Sequence, residues 1–179
     1  MLNTDKSVLL VIDVQGKLAQ LMFEKEALFD NLQKIIKGAK ALGIPIILTE
    51  QNPDRLGETI PDLAALLTDT RPISKFAFSC CLEEQFMKQL EALERRQVLI
   101  AGIETHVCIY QTAVDLLLRG YEAHVVTDAV SSRTQQNRAI GLQKMTAAGA
   151  APTSVETALF ELLKVAKGET FKEILRILK

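Results

Sequence analysis

The sequence predicts an α/β fold of three layers, in which a mostly parallel six-stranded Rossmann-like sheet of strand order 3-2-1-4-5-6 lies between helices. Two observations carry the layered, mostly parallel arrangement, on which the six-strand order is an expectation. Short runs that are almost continuously apolar recur at VLLVI (8–12), IPIIL (44–48), QVLIA (97–101) and AHVVT (123–127), as strands buried on both faces must be. Helical patterns alternate with them, and that alternation favours a parallel sheet built with right-handed crossovers.

The elements follow in order. After the first strand, Leu32, Ile35, Ile36, Ala39 and Leu42 form one apolar stripe that predicts a helix over 31–43, stopped at Gly43. IPIIL is the second strand. The third, 71–75, is the weakest, and Pro72 confines it to an edge because proline cannot donate to a central ladder. Leu82, Phe86, Leu90 and Leu93 predict a helix over 82–96. QVLIA follows, then a helix over 106–120 with Val107, Tyr110, Val114, Leu117 and Leu118 on one face and Gly120 as its C-cap. After AHVVT a helix is expected over 135–148, and short elements finish the chain. With no repeat, low-complexity stretch or linker, residues 1–179 read as a single domain.

Composition narrows the function classes. Hydrophobic residues at 48% and charged ones at 24% describe a globular chain rather than a disordered one. A net charge of −1, with no basic stripe, argues against nucleic acid as a partner. Asp5 and Lys6 precede only five apolar residues, too few for a signal peptide or a membrane span. Three cysteines, two of them adjacent, suit a reducing cytoplasm better than a disulfide framework.

Asp13, Lys75 and Cys108 each follow a different strand run. Residues at the carboxyl ends of parallel strands converge on one crevice, and an acid, a cation and a thiol meeting there are the parts of an activated cysteine nucleophile. Each has a plainer reading. Asp13 alone could cap a helix, although a metal-dependent phosphatase of the haloacid-dehalogenase type would want a second Asp where Gln15 stands. Cys108 could be a small buried hydrophobe. With Thr105 as N-cap, however, it falls in the first turn of a helix, where the macrodipole favours a thiolate. Lys75 alone would read as a surface lysine. In the order 3-2-1-4-5-6 it is two strands from Asp13, about 10 Å at ~4.8 Å per strand, which a lysine stem largely bridges. Cys80 and Cys81 are assigned to packing. His106 lies two residues from Cys108, about 200° away around a helix, and is excluded as its base. Arg133, with Ser131 and Ser132, is expected to serve helix capping and an ion pair to Asp128.

VIDVQ with Asp13 and Gln15, the lysine of SKFAFS, and GIETHVC followed by a helix together resemble the isochorismatase-like hydrolases. This superfamily of cysteine hydrolases includes nicotinamidases and N-carbamoylsarcosine amidase, and the resemblance runs over roughly residues 7–160. TEQNPDRLG (49–57) and DAVSSR (128–133) look most like the isochorismatase domain-containing subgroup. Two departures refine what the resemblance implies. Nicotinamidases carry an Asp/His metal cluster after strand two, whereas this chain has only His106 and His124 and none in 49–57, so no metal is expected. Isochorismatase proper lacks a nucleophilic cysteine, so Cys108 points to acyl transfer.

The resemblance then implies hydrolysis of a small amide or related acyl compound through a thioester. Asp13 would be the base, and Lys75 would hold the Cys108 pKa down. Backbone N–H groups of Glu104 and Cys108 would form the oxyanion hole, with a cis peptide at Ile103–Glu104. Gln15, Gln51, Phe76, Phe78 and Thr105 are candidate pocket residues by proximity to the motifs. No metal or organic cofactor is expected, since no GxGxxG follows any strand. The expected partners are a small-molecule substrate and further copies of the chain, with neither nucleic acid nor membrane. Two alternatives stand beside this reading. One is metal-free vinyl-ether hydrolysis of an isochorismate-like acid with Cys108 a bystander. The other is a non-catalytic binding or redox-sensing protein on the same fold.

Overall fold

Strand β1 (Ser7–Ile12) is buried at all six positions and sits at the centre of the sheet. In the computed structural model, which describes residues 1–179, six strands run parallel in the order β3-β2-β1-β4-β5-β6. The others are β2 (Ile46–Gln51), β3 (Ile73–Lys75), β4 (Gln97–Ile103), β5 (Glu122–Ser131) and β6 (Ala151–Thr153). The period-2 alternation of a strand divides β1 between two cores. Leu9 and Val11 pack with Leu32, Ile35 and Ile36 on one face, while Val8, Leu10 and Ile12 pack with Phe86, Ile109 and Leu116 on the other. The edge strand β3 begins at Ile73, leaving Pro72 just outside the ladder.

Several boundaries differ from the sequence reading. The first long helix, α1 (Lys25–Ala41), starts six residues early because Leu28 extends the buried stripe by a turn. The expected helix over 82–96 is shortened to α2 (Glu84–Ala92). Residues 80–82 form a 3-10 turn capped by the Ser79 side chain, extended Glu83 interrupts the coil, and Leu82 projects into solvent. The helix expected over 106–120 begins as one wide π-turn, Thr105–Ile109, before α3 (Tyr110–Leu118). Its buried face is Thr112, Ala113 and Leu116, and Leu118 is exposed.

β5 runs four residues beyond AHVVT, with a register shift against β4 between Ile100 and Gly102. α4 (Gln135–Ala147) lies where it was expected, capped by Thr134. α5 (Val155–Leu163) and α6 (Glu169–Leu178) complete the chain and pack against α1. No helix is long and apolar enough to cross a membrane.

Candidate active site

The carboxyl ends of β1, β3 and β4 deliver Asp13, Lys75 and Cys108 to one buried locus. Asp13 leaves β1 in a left-handed conformation (φ 55°), which costs a non-glycine residue energy unless its surroundings hold it. Thr49 of β2 does so twice. Its carbonyl accepts the Asp13 N–H at 3.1 Å, and its hydroxyl donates to Asp13 Oδ1 at 2.8 Å.

The other carboxylate oxygen, Oδ2, lies 2.7 Å from Lys75 Nζ, both side chains being almost wholly out of solvent. The ammonium also hydrogen-bonds to Gln51 Oε1 at 2.6 Å, the Ala77 carbonyl at 3.1 Å and the Phe78 carbonyl at 3.2 Å. Oδ2 keeps the ammonium at 2.7 Å as its close partner.

Cys108 reaches this pair because two glycines permit close approaches. A Cβ on Gly102 (φ 122°) would lie 2.1 Å from the Ile12 carbonyl oxygen, so only glycine lets β4 run this close to the end of β1. A Cβ on Gly141 of α4 would lie 2.7 Å from the Thr105 carbonyl, so only glycine lets α4 seat the turn that carries Cys108. The peptide between Ile103 and Glu104 is cis. The Glu104 carbonyl accepts from the Val107 and Ile109 N–H groups, at 3.0 and 3.3 Å. Its carboxylate Oε1 takes the Arg133 backbone N–H and Nε, at 3.2 and 3.1 Å.

The expected Arg133–Asp128 pair is therefore replaced. Glu104, brought close by the β4–β5 crossover, claims the guanidinium, and Asp128 instead caps α5 through the Val155 N–H at 2.9 Å. His106 is turned to Ser132, with Nδ1 at 3.0 Å from Oγ.

The electrostatics qualify one expectation. Burial foremost, and then the Asp13 charge, push the Cys108 thiol well above its ordinary range, and Lys75 pulls back by less. Lys75 does lower the thiol, as expected, but burial outweighs it and the net direction is up. Burial also raises Asp13, against the Lys75 charge and the hydrogen bonds of Lys75, Thr49 and Cys108. For Lys75, burial alone would lower the ammonium's pKa, but the charge of Asp13 beside it works the other way and the net direction is up. Burial therefore favours the uncharged thiol, while the Lys75 charge favours an ionised Asp13 against its burial.

The remaining sequence candidates divide. Gln15 is fully buried and its amide is bound to main chain: Oε1 accepts the Gln51 N–H at 2.7 Å, and Nε2 donates to the carbonyls of Gly57 and Gln51. Gln51 holds the Lys75 ammonium and donates to the Phe76 carbonyl at 2.7 Å. The backbone of 76–78 thus fixes Lys75, while the Phe76 and Phe78 rings are 73% and 53% exposed. Thr105 is fully buried with its hydroxyl unpartnered. Nowhere do three or more His, Cys, Asp or Glu side chains gather so as to hold a metal ion. Thr49 and Gly141 escaped the sequence reading. The position of Thr49 just past IPIIL, at the carboxyl end of a strand, was the one signal available.

Comparison with known proteins bears on this geometry. The family model described as the isochorismatase domain matches residues 7–157. The chain belongs to the isochorismatase family. Within it, the zebrafish (Danio rerio) isochorismatase domain-containing protein 2 is 39% identical over 178 residues, covering 99% of this chain and 89% of its own. A Caenorhabditis elegans structure described as MAR1 ribonuclease superposes with a TM-score of 0.93 at 36% identity, covering 99% and 91% of the two chains. Two YcaC structures are also similar. That from Pseudomonas aeruginosa, holding hexane-2,5-diol and covalent acrylamide, has a TM-score of 0.92 at 27% identity (98% and 90% covered). That from Escherichia coli, described as an octameric hydrolase of unknown specificity, has a TM-score of 0.93 at 25% identity (99% and 88% covered).

Proposed function

We propose that this isochorismatase-family chain, as a single domain, is a cysteine-dependent hydrolase that cleaves a small amide or related acyl compound through a covalent thioester. The observation that carries the reading is the buried Asp13–Lys75 ion pair, 2.7 Å across, set beside the Cys108 thiol. Burying two charges costs several kcal/mol of solvation per ion, and a crevice of strand ends is where such a cost serves chemistry.

Because the resting thiol is protonated, its proton leaves as sulfur attacks. Asp13 Oδ2 takes that proton while the S–C bond forms and the carbonyl π electrons move to oxygen. The Glu104 and Cys108 N–H groups receive the oxyanion, each such donor being worth about 2.7–4 kcal/mol. Collapse breaks the C–N bond, and the departing amine takes the proton from Asp13. Water then gives a proton to Asp13 and attacks the thioester carbonyl. The C–S bond breaks, the acid departs and sulfur recovers its proton. Lys75 remains an ammonium throughout. It favours the Asp13 carboxylate at rest and the thiolate while Asp13 is protonated.

Phe76 and Phe78 are proposed to meet the substrate, with Gln15, Gln51 and the buried Thr105 supporting the site from behind. Covalent acrylamide in the Pseudomonas YcaC supports a reactive nucleophile on this fold. An RNA substrate is disfavoured by the net charge of −1, since phosphate binding draws on lysine and arginine. The octameric E. coli relative supports a homo-oligomer, and three free cysteines fit a reducing cytoplasm.

A screen of small amides and carboxylic acids with wild type and Cys108→Ala tests the reading. Hydrolysis that the variant abolishes, with an acylated Cys108 trapped in the wild type, is expected. Activity that survives Cys108→Ala would replace thioester chemistry with vinyl-ether hydrolysis.

A further inference from the structure

Asp13 is held by more than its ammonium partner. Thr49 takes the Asp13 N–H on its carbonyl at 3.1 Å and gives its hydroxyl proton to Oδ1 at 2.8 Å. Ile12 and Thr49 are directly paired between β1 and β2, so this clamp is built into the strand register. A hydroxyl has one proton, and here it points to Asp13, which leaves the Thr49 oxygen as an acceptor. The Cys80 thiol lies 3.8 Å from that oxygen. Cys80 is in turn fixed by its own N–H, which donates to Thr112 Oγ1 at 3.0 Å.

We propose that Thr49 is the positioning residue of the catalytic base: it fixes the rotamer of Asp13 so that Oδ2, rather than Oδ1, is presented to the Cys108 thiol, and the Cys80 thiol fixes the Thr49 hydroxyl in turn. This rests on the reading of Asp13 as base. The chemistry requires it. A carboxylate has two nearly equivalent oxygens, and a base that turns freely presents the wrong one for part of the time. With Oδ1 tied to the Thr49 hydroxyl at 2.8 Å and Oδ2 on the Lys75 side, the two oxygens are no longer equivalent, and the one left to take a proton is Oδ2. Burial keeps the Cys80 thiol protonated, pushed up to about 11, so it remains a donor through the working range. The pair assigned to packing from sequence thus divides. Cys81 lies in the apolar core with its Sγ toward the Thr112 carbonyl, at 3.9 Å, whereas Cys80 faces Thr49.

The test uses p-nitrophenyl acetate as acyl donor and follows the burst of p-nitrophenol, from low to neutral pH, in the full-length protein. Cys108→Ala and Asp13→Asn come first, and a burst that survives either would overturn the parent reading itself. With both bursts lost, Thr49→Val deletes the hydroxyl at equal size. It should slow the plateau by roughly tenfold or more, the worth of a hydrogen bond to a charged group. It should also move the acid limb to higher pH, because the carboxylate has lost a bond that favoured its ionised form. Thr49→Ser should restore both. A Thr49→Val profile identical to wild type, or a fall in rate shared equally by Thr49→Ser with an unmoved acid limb, would reduce Thr49 to packing. Thr49→Ala makes the same deletion with less bulk and takes the place of Thr49→Val if that variant does not melt cooperatively.

Discussion

Lys75 Nζ stands 2.7 Å from Asp13 Oδ2 while it also hydrogen-bonds to Gln51 and to the carbonyls of Ala77 and Phe78. The lysine therefore acts on the aspartate chiefly by its charge, and Gln51 and the two carbonyls help to orient it. Removing it leaves a buried carboxylate without its counter-charge. Lys75→Ala should destabilise the fold by about 3–5 kcal/mol, the usual result of breaking one side of a buried pair. Denaturant titration checks this, and a loss under about 1 kcal/mol would mean that the pair is solvated.

Cys108→Ala and Asp13→Asn should each lower turnover by at least about a thousandfold, and the double variant should be scarcely worse than either single, because groups that act as one unit fail together. Kinetics of the three variants decide it. Additive losses would separate the two residues.

Gly141→Ala places a methyl 2.7 Å from the Thr105 carbonyl and 2.8 Å from the His106 nitrogen. Backbone cannot yield as a side-chain tip does. The variant should lose about 1–3 kcal/mol, as overpacked sites do, and lose turnover more than its stability explains, since the displaced turn carries Cys108. Thermal melts and kinetics on the same sample separate the two effects.

Stability should fall on the alkaline side. Burial raises Cys80 from 9.0 to about 11, so above pH 9 the unfolded chain releases a proton that the folded chain keeps. The native state binds more protons there, and unfolding becomes easier as pH rises. The contribution is complete below the unfolded value of 9.0 and is lost as pH climbs toward the folded value. The slope is about 1.4 kcal/mol per pH unit for one thiol. Cys80→Ala should flatten the stability curve between pH 9 and 11 by that amount. An unchanged slope would place the ionisation elsewhere.

Sedimentation at micromolar concentration should give a homo-oligomer, the state that the octameric E. coli relative supports. A monomer at that concentration would overturn it.

The layered parallel sheet with helices on both faces was legible in the chain, because a strand buried on both faces must be apolar along its whole length and the crossovers have one hand; the short sixth strand, Ala151–Thr153, carries no such run. The meeting of Asp13 and Lys75 followed from the same logic, since topology alone places strand ends together. Boundaries were less legible. Leu82 and Leu118 match the apolar period yet face solvent, because Leu82 lies in a 3-10 turn outside the helix and a π-turn shifts the phase of the helix that carries Leu118. Side-chain partners lay furthest from reach. That Gln15 binds main chain, that Arg133 goes to Glu104 and not Asp128, and that Thr49 holds Asp13 all depend on which atoms lie within about 3 Å. Sequence spacing does not encode that distance. The Cys108 thiol makes the point in energy. Its neighbours could be named from the chain, but whether Lys75 or burial prevails depends on how completely water is excluded. Packing from both faces of the sheet decided that: 7% of Cys108 remains exposed, and burial prevails.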